Sequence, residues 1–162
     1  VLVVTFALTV IFDLVVAIEV GMIIAVLLFM KRMSDVTHVR TWTKIDEAVK
    51  TDDGRLKDIP ENTEVFEING PMFFASSDKL VFPIKDGIEV LILRMRSVPT
   101  IDASAMRSLN SLYNICQEKG IKIIISHANE QPVSVMKKDG FYDKVGADNF
   151  CENIDEALNK AK

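Results

Sequence analysis

Phosphate-binding glycine motifs are absent from this sequence, which contains neither a GxGxxG pattern nor a Walker loop. Its two histidines, His38 and His127, lack the spacing that is typical of metal ligands. No GxSxG sequence surrounds a serine, and no pair of nucleophile and base can be assembled from the chain. We therefore expect a protein that is not an enzyme and that has no catalytic residues, no cofactor and no metal ion.

Cysteine is also scarce, and positive charge is not in excess. The chain has only Cys116 and Cys151, and no CxxC pattern joins them, which favours a reducing compartment and a core-filling role for each thiol. The formal net charge is −4, with both signs scattered along the charged part of the chain. This pattern offers no basic surface, so we expect no nucleic-acid partner.

Basic residues are entirely missing from the first 30 positions, which are apolar except for a few polar residues and two acids, Asp13 and Glu19. A single helix of this length would span ~45 Å, more than the ~30 Å hydrocarbon layer of a membrane. We therefore predict a break at Phe12–Asp13, with residues 1–11 ending one membrane helix and residues 14–30 forming another. A secretory signal fits less well, because a basic start and a small-residue cleavage site are lacking.

The charges around this apolar stretch indicate its topology. Lys31 and Arg32 follow it directly, so the positive-inside rule places residues 31–162 in the cytoplasm, below an inner or plasma membrane. Ionisable residues within membrane spans are costly and usually face protein or water, so Glu19 has either a functional role or a structural, interfacial one. Asp13 is expected to cap the second helix. The missing initiator Met suggests that the chain was cut from a longer protein.

Composition divides the chain into three segments. Residues 1–32 are predicted to end a transmembrane domain, residues 33–62 to form a polar linker arm, and residues 63–162 to form a soluble domain. Within the arm, Asp46–Lys50 resembles a helical turn. Trp42 is expected to anchor the arm to the membrane surface or to the domain.

The soluble domain is organised around a strand, a helix and a second strand. Residues 88–95 form an apolar run that is typical of a strand covered on both faces. Asp102 is a candidate N-cap, and the apolar residues after it recur with helical spacing as far as Cys116. Gly120 can end that helix, and residues 121–125 form a second buried strand, which together predict a parallel βαβ unit.

Weaker patterns flank this unit on both sides. They predict strands at residues 64–68, 72–75 and 149–152, a short helix at 76–82, a helix at 133–138 with Pro132 at its first position, a connector at 141–145, and a last helix that starts at the cap Asn153 with Glu156 in the capping-box position.

Ser104 lies in the first turn of the central helix, where two interpretations are open. In the first, Asp102 simply caps the helix and Ser104 is tolerated beside it. In the second, Ser104 is phosphorylated, because the positive helix end and its free N–H groups would stabilise a phosphate.

The stretches GPMFFASSDKL, IDASAM and IKIIIS, in this order, resemble a STAS domain, the domain of sulphate transporters and anti-sigma-factor antagonists. Upstream, TVIFDLVVAIEVGMIIAVLLFMKRMS resembles the last membrane helices of the SulP family of anion transporters. The resemblance covers nearly the whole chain. It implies an α/β fold, namely a four- to five-stranded mixed sheet with helices mainly on one face. A transmembrane helix segment precedes this domain.

The resemblance also bears on Ser104. In the anti-sigma-factor antagonists the motif is typically Asp-Ser-Ser-Gly, and its second serine is phosphorylated. That serine corresponds to Ser104 and the aspartate to Asp102, whereas Ala103 and Ala105 replace the first serine and the glycine. The resemblance thus implies that Ser104 and Asp102 form a regulatory site, for phosphorylation or for the docking of a partner.

For function, the resemblance implies a regulatory or assembly domain of a secondary transporter for sulphate, bicarbonate or a related anion. The substrate site is expected in membrane helices outside this chain. Implied partners are lipid, the rest of the membrane domain, a second copy of the protein and a cytoplasmic protein. The alternative is a membrane-tethered signalling module of the anti-sigma-factor-antagonist type.

Overall fold

The computed structural model describes residues 1–36, 38–42, 59–73 and 84–162. The chain forms two compact units, Val1–Asp35 and Val36–Lys162. Each unit is described by itself below.

Two helices make up the first unit, α1 (Leu2–Ile11) and α2 (Leu14–Val36). The break between them lies at Phe12 and Asp13, as the sequence predicts. The Asp13 carbonyl accepts the N–H of Ala17 at 3.0 Å, which is the first bond of α2, so Asp13 occupies the N-cap position. Its Oδ1 accepts the N–H of Leu14, the next residue, at 2.6 Å. Within α2, Leu14–Arg32 is long and apolar enough to cross a membrane.

α1 and α2 approach closely at small residues. Ala17 is only 2% exposed, and a Cβ on Gly21 would lie 2.3 Å from Cγ2 of Thr5. Small side chains let helix backbones come together where a larger residue would hold them apart. The Thr5 hydroxyl donates to the Leu2 carbonyl of its own helix at 3.0 Å, which leaves its methyl group to face Gly21.

The second unit contains a five-stranded mixed sheet in the order β1-β2-β3-β4-β5. β1 is antiparallel to β2, and every other neighbouring pair is parallel. The strands are β1 (His38–Trp42), β2 (Thr63–Asn69), β3 (Val90–Ser97), β4 (Lys122–Ser126) and β5 (Phe150–Cys151).

Helices cover the sheet mainly on one face, as the resemblance implies. They are α3 (Ala103–Glu118), α4 (Glu130–Asp139), α5 (Phe141–Val145) and α6 (Ile154–Lys160), with a 3₁₀ turn at Ala147–Asn149. The apolar side chains of α3, α4 and α5 pack on one face of the sheet around Phe66, Leu93 and Ile125. Those of α6 pack on the other face, around Ile92 and Ile124. Alternate residues of β3 therefore supply the two cores, which explains its continuous apolar run.

The predicted βαβ unit is confirmed as β3, α3 and β4. The residues of α3 that the helical spacing assigns to the core are buried, namely Ala105, Met106, Leu109, Leu112 and Cys116. Gly120 follows the helix with a φ of 69°, a conformation that glycine adopts without strain. The Cys116 and Cys151 thiols are both buried in the cores, as predicted.

Several expectations from the sequence are wrong in detail. Residues 33–36 continue α2 and residues 38–42 form the edge strand β1, although a linker arm is predicted there. Pro132 is the third residue of α4 rather than its first. The predicted connector 141–145 is the short helix α5.

Other expectations lie on residues outside the described ranges. The helical turn at 46–50 and the helix at 76–82 fall there entirely, as does the side chain of Trp42. Of the predicted strand 72–75, the described part forms a single parallel bridge between Met72 and Ile101. The last predicted strand and helix are present as β5 and α6, and Asn153 caps α6 by accepting the N–H of Glu156 at 2.8 Å. Glu156 in turn accepts the N–H of Glu152, one residue before the cap.

Candidate functional site

Asp102 begins α3 as the sequence predicts. Its backbone is extended, and its Oδ1 accepts the N–H groups of Ser104 and Ala105, each at 2.9 Å. Both groups would otherwise lack a partner, because the first turn of a helix has no carbonyl to bind them. The capping interpretation of Asp102 is therefore confirmed.

Ser104 is partly exposed in the first turn of α3. Its Oγ accepts a hydrogen bond from Nη2 of Arg107, one turn later, at 3.1 Å. The carbonyl of Ser104 accepts the Ser108 hydroxyl at 3.4 Å. An exposed guanidinium thus faces the hydroxyl, and it could bind a phosphate or a carboxylate at this position.

The capping bonds limit what the helix end alone can do for an anion. The N–H groups of Ser104 and Ala105, which the sequence suggests are free for a phosphate, are already bound to Asp102. A negative charge on Ser104 would also lie near the Asp102 carboxylate, and like charges repel. Arg107, whose guanidinium donates to the Ser104 hydroxyl, could offset a negative charge at Ser104, and sequence reasoning missed it. The signal was present, since residues three apart are neighbours on a helix.

The segment that leads into α3 is held from two sides. On one side, the N–H of Met72 donates to the Thr100 carbonyl at 3.0 Å, and the N–H of Asp102 donates to the Met72 carbonyl at 3.1 Å. On the other side, the Gln131 side chain of α4 binds both backbone groups of Ile101. These contacts join parts of the chain that are far apart in sequence, so no local pattern could have predicted them.

The two cysteines do not contribute a reactive group to this site. Burial raises the pKa of the Cys116 thiol to about 11, against a smaller lowering effect of Lys119. Burial also raises the pKa of Cys151. Since the thiolate is the reactive form, both residues are poor nucleophiles near neutral pH.

Glu19, His38 and His127 lie outside α3, the helix that carries Ser104. Glu19 is exposed on α2, two residues from the buried Ala17 and thus on the opposite side of the helix. His38 opens β1, and His127 follows β4 with a φ of 57°. Within the described residues, no group of three His, Cys, Asp or Glu side chains has the arrangement of a metal site. A role for Glu19 stays a prediction.

Comparison with known proteins identifies the fold. The model of the STAS domain family matches residues 56–157, which include β2 to β5 and the Ser104 segment. This chain belongs to the STAS domain family.

Curated relatives carry the names of sulphate transporters. The chain is 30% identical over 156 residues to the putative sulfate transporter YvdB of Bacillus subtilis, which covers 94% of the chain and 28% of the relative. It is 28% identical over 105 residues to the probable sulfate transporter 3.5 of Arabidopsis thaliana, covering 60% of the chain and 17% of the relative. The chain thus spans well under half the length of either relative.

Solved structures show the same relationship. A sulfate transporter family protein from Wolinella succinogenes is 34% identical, with a TM-score of 0.60, over 65% of this chain and 88% of that one. The STAS domain of a SulP transporter from Vibrio cholerae is 29% identical, with a TM-score of 0.56, over 64% and 84%. Murine Slc26a9, an anion transporter, matches 98% of this chain and 27% of its own length with a TM-score of 0.73, and its 18% identity shows the fold alone. The resemblance to SulP-type STAS domains is confirmed.

Proposed function

We propose that this chain supplies the STAS domain and adjoining membrane helices of a SulP-type secondary anion transporter. One observation carries the proposal. The candidate membrane span Leu14–Arg32 lies in α2, which ends at Val36, and the first strand of the STAS sheet begins at His38, so a single residue separates the helix that contains this span from the sheet. A STAS domain joined this directly to a membrane helix is suited to act on a membrane protein rather than to diffuse freely.

The names of the relatives support transport over signalling. YvdB and the Arabidopsis protein are both named as sulfate transporters, and the alignment with YvdB includes nearly all of this chain. We therefore propose sulphate or a related anion as the substrate, bound by membrane helices outside this chain. The STAS domain itself has no catalytic role in this proposal. A second copy of the protein and a cytoplasmic protein are its proposed partners.

Within this function, Ser104 is the proposed regulatory position. Its hydroxyl is partly exposed, lies at the N-terminal end of α3 and already faces the Arg107 guanidinium. A negative charge there, from a phosphate or from an aspartate, would form an ion pair with Arg107 and change the charge of the surface around the α3 start. The fold would survive, because Asp102 rather than Ser104 caps the helix.

Ser104→Asp in the complete transporter tests this role. We expect a changed rate of anion uptake at equal amounts of protein in the membrane, with a free energy of unfolding within about 1 kcal/mol of the parent. Ser134→Asp is the matched control, because it adds the same charge to an exposed position of α4. Equal uptake by the parent and both variants would leave Ser104 with no regulatory role.

A further inference from the structure

The start of α4 departs from an ordinary helix start. Asn129 occupies its N-cap position, but the Asn129 side chain makes no capping bond to α4. Instead, its Nδ2 donates to the carbonyl of Val98 at 2.7 Å and to that of Arg96 at 3.2 Å. Asparagine is among the best N-cap residues, and a helix without such a cap is less stable by about 1 kcal/mol. The Asn129 side chain therefore holds the β3–α3 loop, and α4 lacks a side-chain cap.

Gln131, two residues later, holds the same loop at a second point. Its Oε1 accepts the N–H of Ile101 at 2.9 Å, and its Nε2 donates to the carbonyl of Ile101 at 3.1 Å. A side-chain amide that accepts and donates on one residue fixes the position and the direction of the backbone there. Ile101 is also 3% exposed and bridges to Met72 on its other side, so this residue is held by both neighbours.

These contacts lead directly to the Ser104 position. Asp102 follows Ile101 in the chain and binds the N–H of Ser104. Hydrogen bonds thus join Gln131 of α4 to Ile101, and Asp102 to Ser104, and the peptide bond between Ile101 and Asp102 connects the two sets. A residue that breaks a local rule, as Asn129 does, indicates that another requirement outweighs helix stability at that site.

We propose that Asn129 and Gln131 form an amide clamp whose role is to position the start of α3. With the loop held in place, a negative charge at Ser104 acts on α4, whereas without the clamp the charge would only move the loop. This inference rests on the proposed regulatory function of Ser104. The clamp residues are positioning residues, since they act through the backbone of the loop and not by binding an anion.

Asn129→Asp separates positioning from stability. The new carboxylate can accept N–H groups of α4 as a cap, which the Asn129 side chain does not do, but it cannot donate to the carbonyls of Arg96 and Val98. Gln131→Glu likewise keeps the acceptor for the N–H of Ile101 and loses the donor to its carbonyl. Hydrogen exchange of the complete protein should then show amides 101–105 exchanging roughly five- to tenfold faster, the effect of about one lost hydrogen bond. Unchanged exchange in both variants would overturn the positioning role.

A second experiment measures how much Ser104→Asp changes the rate of anion uptake when it is introduced into the parent, into the two clamp variants and into a control variant. Asn110→Ala is the matched control, because Asn110 of α3 also binds α4, through Asp139 Oδ2 at 2.8 Å, but away from the α3 start. We expect Ser104→Asp to change uptake in the parent and in Asn110→Ala, and to have no effect in Asn129→Asp or Gln131→Glu.

Two outcomes overturn the inference while leaving the proposed function intact. One is a full response to Ser104→Asp in both clamp variants, and the other is an equal loss of response in Asn110→Ala. If Ser104→Asp has no effect even in the parent, the regulatory role of Ser104 fails and the signalling part of the inference fails with it. Hydrogen exchange then still decides whether the clamp positions α3.

Discussion

At the scale of single residues, the start of α3 is defined by one carboxylate and one guanidinium. Asp102 binds the two N–H groups that a phosphate on Ser104 would otherwise use, and Arg107 binds the Ser104 hydroxyl. The two charged groups therefore have separate functions. Asp102 stabilises the helix, and Arg107 offers the positive charge that a modified Ser104 would need.

This division predicts that Asp102→Ala destabilises the protein by about 1 kcal/mol, because two N–H groups lose their acceptor. Asp102→Asn should lower the free energy of unfolding by only a few tenths of this amount, since the asparagine side-chain oxygen can still accept both hydrogen bonds. Urea unfolding of the chain in detergent, followed by tryptophan fluorescence, measures the difference. Equal stability of Asp102→Ala and the parent would show that the observed cap contributes nothing.

The buried thiol of Cys116 predicts a dependence of stability on alkaline pH. Its pKa is raised from 9.0 to about 11 by burial, so the thiol ionises more readily in the unfolded chain than in the folded one. Its contribution to stability is complete below pH 9 and is lost as the pH rises through about 11. Unfolding measured over this range should therefore show a steeper loss of stability in the parent than in Cys116→Ala. Parallel pH profiles would contradict this.

At the scale of helices and strands, the sequence predicted the features that are determined by residues close together in the chain. The break at Phe12–Asp13, the Asp102 cap and the buried stripe of α3 follow from spacing and capping chemistry within a few positions. The strand β1 and the contacts of Gln131 could not be predicted in this way. Each depends on pairing with a distant part of the chain, and three of the five side chains in residues 38–42 are polar, which is typical of an arm.

The pairing of β1 with β2 makes a prediction about where the soluble domain begins. A fragment of residues 36–162 retains the five register pairs of β1 with β2, whereas one of residues 60–162 exposes the unpaired edge of β2. Exposed edges favour aggregation. We expect the longer fragment to unfold cooperatively without detergent and the shorter one to be less stable or to associate. Equal stability of the two monomeric fragments would place the boundary at residue 63, as the sequence suggests.

At the scale of the whole molecule, we propose that α2 spans a membrane and that the STAS domain lies in the cytoplasm. Lys31 and Arg32 lie at the end of the apolar part of α2, where positive charge favours the cytoplasmic side. Lys138 is exposed on α4, whereas both native cysteines of this chain are buried. A Lys138→Cys variant in intact cells should therefore resist an impermeant thiol reagent and react after the cells are opened. Labelling of the variant in intact cells, above the level of the parent, would show that the topology is the opposite of the proposed one.

The proposed function is the transport of an anion by the protein that contains this chain. Purified protein in sealed vesicles, supplied with radiolabelled sulphate outside, measures this directly. We expect saturable uptake above that of protein-free vesicles, and competition by unlabelled sulphate or a related anion such as bicarbonate or chloride. If vesicles with a folded STAS domain take up none of these anions faster than protein-free vesicles do, the proposed transport function is wrong.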